Sequence, residues 1–206
     1  MTRSWAESET LRGLALVCKE VSRRHARPGQ FIRVRVGDVE KPFALASEPG
    51  APELELLYKG ESLPAVAAGD PIRVGVPQGK GFPVEEHVRQ HLILCAAGTG
   101  IAPLRAVVRS VLPVRERFGQ VLLFYGQRMH TQFAYSSEHG QWAAHGVEIH
   151  LIASEGGKRL QEAVRARRPL VDGACAYLCG MKGMVTDLAV ILEGMGLPRE
   201  RVFVNL

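Results

Sequence analysis

The stretch His91-Leu-Ile-Leu-Cys-Ala-Ala-Gly-Thr-Gly-Ile-Ala-Pro-Leu-Arg105 decides the fold. Its apolar run at 92–97 is short and ends at a glycine, which predicts a β-strand that is buried on both faces. After Gly98-Thr99-Gly100 the apolar residues return at helical spacing, as Ile101, Leu104, Val107, Val108 and Val111. The stretch therefore predicts a strand, a glycine turn and the start of a helix.

This order of elements is suited to binding an anion. The first amides of a helix have no acceptor within the helix, and the helix dipole places partial positive charge there. Glycines let the backbone approach a phosphate where a Cβ atom would collide. Pro103 fits the first helical turn because its missing N–H costs little there. A Gly-x-Gly pair alone is also compatible with an ordinary connection between a strand and a helix.

The longer run Gly98-Thr-Gly-Ile-Ala-Pro103 resembles the pyrophosphate loop of the ferredoxin–NADP reductase-like superfamily, whose members are FAD- and NAD(P)-binding oxidoreductases. The resemblance implies two domains, an antiparallel β-barrel for the flavin and an α/β domain with a parallel sheet for the nicotinamide nucleotide. It also implies that the loop binds a cofactor through Gly98, Thr99, Gly100, Ile101, Ala102 and Pro103.

The segment after residue 86 alternates predicted strands with predicted helices. We expect strands at 92–97, 121–125, 147–153, 176–179 and 202–205, and helices near 101–112, 131–144, 158–167 and 181–195. This alternation predicts an α/β domain over residues 87–206, with a parallel sheet and right-handed crossovers. Dinucleotides bind such sheets at the carboxyl ends of the strands, where the strand order switches.

Two more of these strand ends resemble motifs of the superfamily. Tyr-Gly-x-Arg at 125–128 places Gly126 for close approach of the nucleotide and Arg128 for a phosphate or ribose, and a surface arginine is the alternative. Cys179-Gly180-Met181 resembles the Cys-Gly-Pro motif, whose cysteine lies beside the nicotinamide and aids hydride transfer. Cys179 is therefore the candidate catalytic residue, and a small buried strand-end residue is the alternative. Met181 replaces the usual proline, which predicts a looser turn.

The coenzyme preference is predicted from the end of the third strand. Relatives that prefer NADP carry a Ser-Arg pair there, whereas this chain has Ser154 and Glu155. A carboxylate would repel a 2′-phosphate and accept a hydrogen bond from a ribose hydroxyl. We therefore predict NAD, while Lys158 and Arg159 leave NADP open as an alternative.

Residues 1–86 contain short apolar runs with frequent turn residues and little helical periodicity. Strands are expected at 14–18, 31–36, 54–58 and 71–76, with one helical turn near 62–67. This pattern predicts a small antiparallel barrel. Pro28-Gly-Gln-Phe31 and the stretch 69–79 resemble a turn and the final strand of the superfamily's flavin domain.

Between those two stretches the superfamily carries Arg-x-Tyr-Ser/Thr. Its arginine contacts the FAD phosphates, its tyrosine packs on the flavin, and its hydroxyl bonds near flavin N5. Here Lys41 keeps the charge without the bidentate fork, Phe43 keeps the stacking face, and Ala44 has no hydroxyl. A plain barrel core is the alternative for Phe43 and Leu45. The cofactor-binding residues implied by the resemblance are Lys41, Phe43, Ala44, Leu45, Ala46 and Ser47, with Lys59, Gly60 and Ser62 at a second phosphate contact.

Composition restricts the remaining function classes. The chain has 206 residues, a formal net charge of +5 and four cysteines, none of them in a Cys-x-x-Cys pair. We expect no bound metal, reduced thiols, a cytoplasmic location and no signal peptide, because the N-terminus is polar. No apolar run is long enough to span a membrane. The positive charge suits dinucleotide binding. The sequence contains no basic stripe with interleaved aromatic residues, so we do not expect nucleic-acid binding.

These features together predict a flavin-dependent NAD(P)H oxidoreductase, or electron-transfer reductase, that passes hydride between nicotinamide and FAD. The expected partners are NAD(P)H and a redox-protein acceptor, such as a ferredoxin or a larger complex. The departures at Lys41, Phe43 and Ala44 leave a second function open. In that alternative the chain is a non-catalytic nucleotide-binding or regulatory module that has lost FAD.

Overall fold

The fold was determined as a computed structural model, which describes residues 3–67 and 69–205. The N-terminal part consists of short antiparallel strands with one short helix. In chain order these elements are β1 (Arg3–Ala6), β2 (Leu11–Leu16), α1 (Lys19–Arg24), β3 (Phe31–Val36), β4 (Val39–Ala44), β5 (Leu54–Lys59) and β6 (Arg73–Val74). They form two three-stranded sheets, with the orders β1-β2-β5 and β4-β3-β6.

The two sheets enclose one apolar core, as expected for a barrel. Alternate residues of β3, namely Ile32, Val34 and Val36, are buried there while Arg33 and Arg35 face outward. Leu14 of β2 and Leu56 of β5 enter the same core from the other sheet. Because strand side chains alternate between faces, this spacing of apolar residues determines which side of each strand faces inward. An isolated bridge between Leu45 and Leu56 joins the sheets.

The C-terminal part is a five-stranded parallel sheet flanked by helices. Its strands are β7 (His91–Ala97), β8 (Val121–Gln127), β9 (Val147–Ala153), β10 (Ala174–Cys179) and β11 (Val202–Asn205). Its helices are α2 (Ile101–Val111), α3 (Ser136–Ala144), α4 (Leu160–Arg167) and α5 (Lys182–Gly194). The strand order is β11-β10-β7-β8-β9, so the order switches between β7 and β10. This switch places the carboxyl ends of β7 and β10 side by side.

The two parts share a continuous apolar core. Leu11 and Leu57 of the N-terminal sheet belong to the same buried cluster as Ile101 of α2 and Cys179 of β10. The outward face of β2 and β5 therefore packs against the α/β part. The amino end of α2 lies at this seam between the two parts.

The predicted fold class is confirmed, and the parallel strands and their helices fall close to the expected ranges. The predictions for the N-terminal part were less accurate. The helical turn predicted at 62–67 is wrong, because the structure has a 3₁₀ turn at Gly60–Ser62 instead. β1, α1 and β4 were not predicted, and the strand predicted at 71–76 is reduced to Arg73–Val74. Within residues 3–67 and 69–205, none of the helices has the length and apolar character needed to cross a bilayer.

Candidate functional site

A glycine corner, Gly98–Gly100, connects β7 to α2 through one 3₁₀ turn. Gly98 has φ +59°, and a Cβ atom added to it would meet nothing within 4 Å. A Cβ atom on Gly100 would instead collide with the main chain of Cys179 and Gly180. The first glycine thus borders open space, while the last one allows β7 and β10 to come into contact. This is the shape that an anion site at a helix start requires.

The hydroxyl of Tyr125 stabilises the glycine corner from β8. It donates to the carbonyl oxygen of Gly98 at 3.3 Å, and it accepts from the amide of Gln127 at 2.7 Å and from the N–H of Ala134 at 3.3 Å. Burial raises the pKa of Tyr125 to about 12, so the hydroxyl keeps its proton. Sequence reasoning missed this role, because Tyr125 was interpreted only as part of the Tyr-Gly-x-Arg motif.

The ends of β8 and β9 lie along the same edge of the sheet. Gly126 is paired in register with Ala97, and a Cβ atom on Gly126 would lie 3.3 Å from Leu160. Arg128 is exposed beyond the strand end, and its carbonyl oxygen accepts from the N–H of Glu155 at 2.9 Å. Ser154 and Glu155 are exposed as well. A Glu155 carboxylate oxygen accepts from the N–H of His130 at 3.3 Å.

The end of β10 completes this edge. Cys179 is paired with Ala96 of β7 and has an exposed fraction of only 1%. Burial raises the pKa of its thiol well above the usual range, so the thiol is protonated at neutral pH. Gly180 has φ +145°, and Met181 caps α5 with 72% of its surface exposed.

On the barrel side, the predicted flavin residues lie on β4 and on the turn after β5. Phe43 packs edge-on against Tyr58 of β5, with 5.8 Å between the ring centroids. Lys41 lies two residues before Phe43 and so points to the same side of β4. The Leu45–Leu56 bridge is isolated, and it brings the end of β4 next to β5, which leads into exposed Lys59 and half-buried Ser62.

The remainder of the predicted flavin stretch is buried. Leu45, Ala46 and Ser47 have exposed fractions of 0%, 0% and 1%. The Ser47 hydroxyl accepts from the N–H of Glu55 at 3.1 Å. Ile101, Ala102 and Pro103 are also buried, so the side chains of all six residues pack inside the protein.

Two further contacts connect the seam to the rest of the fold. The side-chain amide of Asn205 donates to the carbonyl oxygen of Gly29 at 2.6 Å, which ties β11 to a barrel turn. Phe203 packs against His87 and Tyr177 inside the protein, so its ring completes the core at the last strand. Sequence reasoning also missed Arg105, a buried cation of α2 that contacts the barrel.

No group of three or more His, Cys, Asp or Glu side chains is arranged to bind a metal ion in the described ranges, 3–67 and 69–205. The edge of the parallel sheet instead offers main-chain amides, glycines and a few exposed cations. The glycine corner lies against β5 of the barrel, so this edge faces the strand that pairs with the flavin stretch. The arrangement is suited to an extended anionic ligand whose two ends lie in the two parts.

Comparisons with known proteins agree with this geometry. Residues 94–189 match the family described as oxidoreductase NAD-binding domain. Sulfhydrogenase 1 subunit gamma of Pyrococcus furiosus is 30% identical over 87% of this chain and 68% of its own. The ferredoxin–NAD(P)(+) reductase component of the naphthalene 1,2-dioxygenase system of Pseudomonas putida is 25% identical, over 90% of this chain and 57% of its own.

Solved structures show the same fold. A ferredoxin NADP+ reductase from Neisseria gonorrhoeae with bound FAD and NADP superposes with a TM-score of 0.80 at 17% identity, over 98% of this chain and 95% of its own. An Amycolatopsis cytochrome P450 reductase gives 0.86 at 20% identity, over 99% of this chain and 67% of its own. The chain spans between 54% and 68% of the length of the four curated relatives that match it first.

Proposed function

Since the chain belongs to the ferredoxin–NADP reductase-like superfamily, we propose that it is an NAD(P)H-dependent flavoprotein oxidoreductase that passes electrons from reduced nicotinamide through FAD to an acceptor. The observation that carries the proposal is the glycine corner. Gly98 borders open space, while Gly100 packs on the main chain of Cys179, at the edge that faces the barrel.

The nicotinamide nucleotide would bind along the carboxyl edge of the parallel sheet. The amides at Gly98 and Thr99 open a helix and suit a pyrophosphate. Gly126 leaves room for Leu160 to pack at the end of β8, and exposed Arg128 can pair with a phosphate. The turn at Gly180 and Met181 would border the nicotinamide ring, beside Cys179.

The residues on the barrel also fit FAD, with one difference. Phe43 offers an aromatic face, and exposed Lys41 supplies a cation on the same strand, which the Leu45–Leu56 bridge joins to β5 and the Gly60 turn that follows it. If a Cβ atom were added to Gly60, its nearest neighbour would be the Arg12 side chain, at 3.8 Å. Ala44 supplies no hydroxyl, so a bound flavin receives no side-chain hydrogen bond from this position.

FAD supplies a centre that accepts a hydride and releases electrons one at a time. The chain's own contribution is to orient the two ligands and exclude water at the seam. The Cys179 thiol, protonated because it is buried, would stay neutral beside the nicotinamide and add no charge there. We assign it a role in shaping that end of the site rather than in proton transfer.

The favoured coenzyme is NAD. The exposed Glu155 carboxylate is held near the end of β9 by the N–H of His130. A fixed negative charge at this position disfavours a 2′-phosphate and favours a ribose hydroxyl donor. Lys158 and Arg159 lie just beyond on exposed chain, and they are the residues through which NADP would bind if the preference were weak.

The acceptor is proposed to be a redox protein, either a ferredoxin or a subunit of a larger complex. The relatives support this class, since one is named a subunit of a sulfhydrogenase and another the reductase component of a dioxygenase system. We further propose that residues 1–86 form the FAD domain and residues 87–206 the NAD(P) domain. A cytoplasmic location stays a prediction from the sequence.

A visible spectrum of protein purified in the presence of FAD tests the proposed function. Oxidised flavin absorption should be present and should bleach when NADH is added without oxygen. Lys41→Ala should weaken FAD retention. Arg33→Ala is the control, because Arg33 is also an exposed cation, but it pairs opposite Pro42 and so faces away from Lys41. A colourless protein that binds NAD(H) but takes up no FAD would establish the non-catalytic alternative.

A further inference from the structure

Arg105 is the most buried arginine of the seam, with 4% of its surface exposed. Its guanidinium bonds in three directions. Nη1 lies 2.9 Å from a Glu55 carboxylate oxygen and donates to the carbonyl oxygen of Ala46 at 3.0 Å. Nε and Nη2 donate to one oxygen of Glu138 at 2.8 and 2.6 Å. The guanidinium carbon also lies 4.5 Å from the ring centroid of Tyr135.

These partners come from both parts of the molecule. Ala46 and Glu55 belong to the barrel, whereas Glu138 and Tyr135 belong to the α/β part. Ala46 follows Ala44 by two residues, and its N–H donates to the carbonyl oxygen of Glu55 at 2.7 Å. The flavin stretch is therefore bonded to Glu55 and to Arg105 at the same point.

Arg105 is also rigidly connected to the glycine corner. It lies in the second turn of α2, and a helix rises about 1.5 Å per residue, so five residues separate it from Gly100 by roughly 7.5 Å along the axis. All of α2 up to Val108 is buried, so the helix cannot shift without moving its neighbours. A displacement at Arg105 thus becomes a displacement of the corner relative to the flavin stretch.

A buried ion pair is an uncertain source of stability. Apolar side chains of similar volume would join the two parts about as well. What a guanidinium adds is direction, because its planar fork fixes the angles and distances of several acceptors at once. Burial acts to lower the pKa of Arg105. The hydrogen bond to Glu138 and the electrostatic effect of Tyr135, Glu55 and Glu138 outweigh burial and raise this pKa, so the fork stays charged.

We propose that Arg105 is a positioning residue that holds the nicotinamide-binding corner and the flavin-binding stretch at the spacing and angle that hydride transfer requires. This inference rests on the proposed function. It assigns Arg105 no contact with either ligand. It predicts that each ligand still binds when the fork is lost, while the alignment of the two rings is impaired.

The test compares Arg105→Lys with Arg109→Lys. Lysine keeps the charge at 105 but cannot span Ala46, Glu55 and Glu138 together. Arg109 pairs with Glu48 at 2.7 Å and with Glu55 at 3.4 Å, and so also joins the two parts, but it does not bond Ala46. The readouts are FAD and NAD+ affinity, the long-wavelength charge-transfer absorbance of the reduced complex, the rate of flavin reduction by NADH, and hydrogen exchange at residues 43–48 without cofactor.

We expect Arg105→Lys to bind each ligand nearly as well as wild type but to lose most of the charge-transfer absorbance. Flavin reduction should slow by about tenfold to a hundredfold, the range expected for a displacement near 1 Å. Exchange at 43–48 should increase. Arg109→Lys should resemble wild type in all of these. Glu138→Gln, which removes the charge of one partner and leaves the fork in place, should give a smaller loss of the same kind.

The outcomes separate the two proposals. Wild type that is not reduced by NADH overturns the proposed function and this inference together. If NADH reduces the wild type, and Arg105→Lys has the same charge-transfer absorbance and the same rate of flavin reduction, the inference alone is overturned. If Arg105→Lys loses FAD or NAD+ affinity to the same extent as it loses the rate of flavin reduction, Arg105 has a general structural role. That result would also overturn the inference. If Arg105→Lys does not fold, Glu138→Gln decides by the same readouts.

Discussion

The two glycines of the corner should respond differently to the same substitution. In Gly98→Ala the added methyl group meets nothing within 4 Å, but φ is +59°. A left-handed conformation costs a non-glycine residue about 1–2 kcal/mol. In Gly100→Ala the Cβ atom would lie 2.7 Å from the carbonyl carbon of Cys179, and ordinary contact begins at 3.4 Å. The carbonyl oxygen of Cys179 would be closer still, so the ends of β7 and β10 must separate by at least about 0.7 Å (3.4 less 2.7).

Binding and stability therefore separate in these variants. Gly98→Ala should lose about 1–2 kcal/mol of unfolding free energy, and its methyl group should displace the pyrophosphate, raising the NAD+ dissociation constant by about tenfold to a hundredfold. Gly100→Ala should lose about 3 kcal/mol, the upper end for overpacking, because the obstructing atoms are main chain. Gly140→Ala is the control, since its Cβ atom also meets nothing within 4 Å but lies inside α3.

Urea unfolding and calorimetric titration with NAD+ would measure both effects. The control should bind NAD+ like wild type and be more stable by about 0.5–1 kcal/mol, because alanine is the better helix former. A Gly98→Ala protein that loses stability but binds NAD+ as tightly as wild type would refute the corner as a phosphate site. A Gly100→Ala protein of unchanged stability would refute the packing argument.

Three further results are expected. Ala44→Ser restores a hydroxyl near the flavin and should accelerate reduction by NADH by up to about fivefold, since a hydrogen bond contributes about 1 kcal/mol. Stopped-flow absorbance measures the rate, and an unchanged rate contradicts the prediction. Glu155→Arg should raise kcat/KM for NADPH relative to NADH by about tenfold to a hundredfold through a charge-assisted pair; steady-state assays with both coenzymes measure it. Hydrogen bonds from Arg167 and His150 lower the pKa of Glu148 from 4.5 to about 2. Because the folded-state pKa is lowered, the carboxylate stabilises the protein above pH 4.5, so the Tm advantage of wild type over Glu148→Gln should shrink between pH 4.5 and 2.

The parallel sheet was predictable from sequence because each strand is a short apolar run between helices. The barrel was harder. β4 was missed because it is polar, largely exposed and contains Pro42. The structure explains this, since β4 is an edge strand of its sheet and Pro42 needs no ladder partner on the open side. β1 has only four residues, and α1 buries only Val21. Neither segment carries enough periodic apolar residues to be recognised.

The candidate site was predictable only where its residues lie close together in sequence. The glycine corner and the Cys179 turn each form a short motif, and the structure places them in contact. Arg105 forms no motif, because its partners lie 30 to 59 residues away. Its position between Leu104 and Ala106 gives no sign that the carboxylates of Glu55 and Glu138 converge on it. Only the packing of α2 against the barrel reveals the contact.

The shared core between the barrel and the α/β part bears on how such a site can work. Two ligands in separate parts react efficiently only if their relative position varies little. Leu11 and Leu57 hold the parts together through apolar packing, which resists separation but tolerates sliding. Polar bonds of fixed direction restrict sliding, and the described seam has several of them, including those of Arg105, Arg109 and Asn205. Apolar burial therefore accounts for the cohesion of the two parts, and directional contacts such as that of Arg105 with Ala46 account for their alignment.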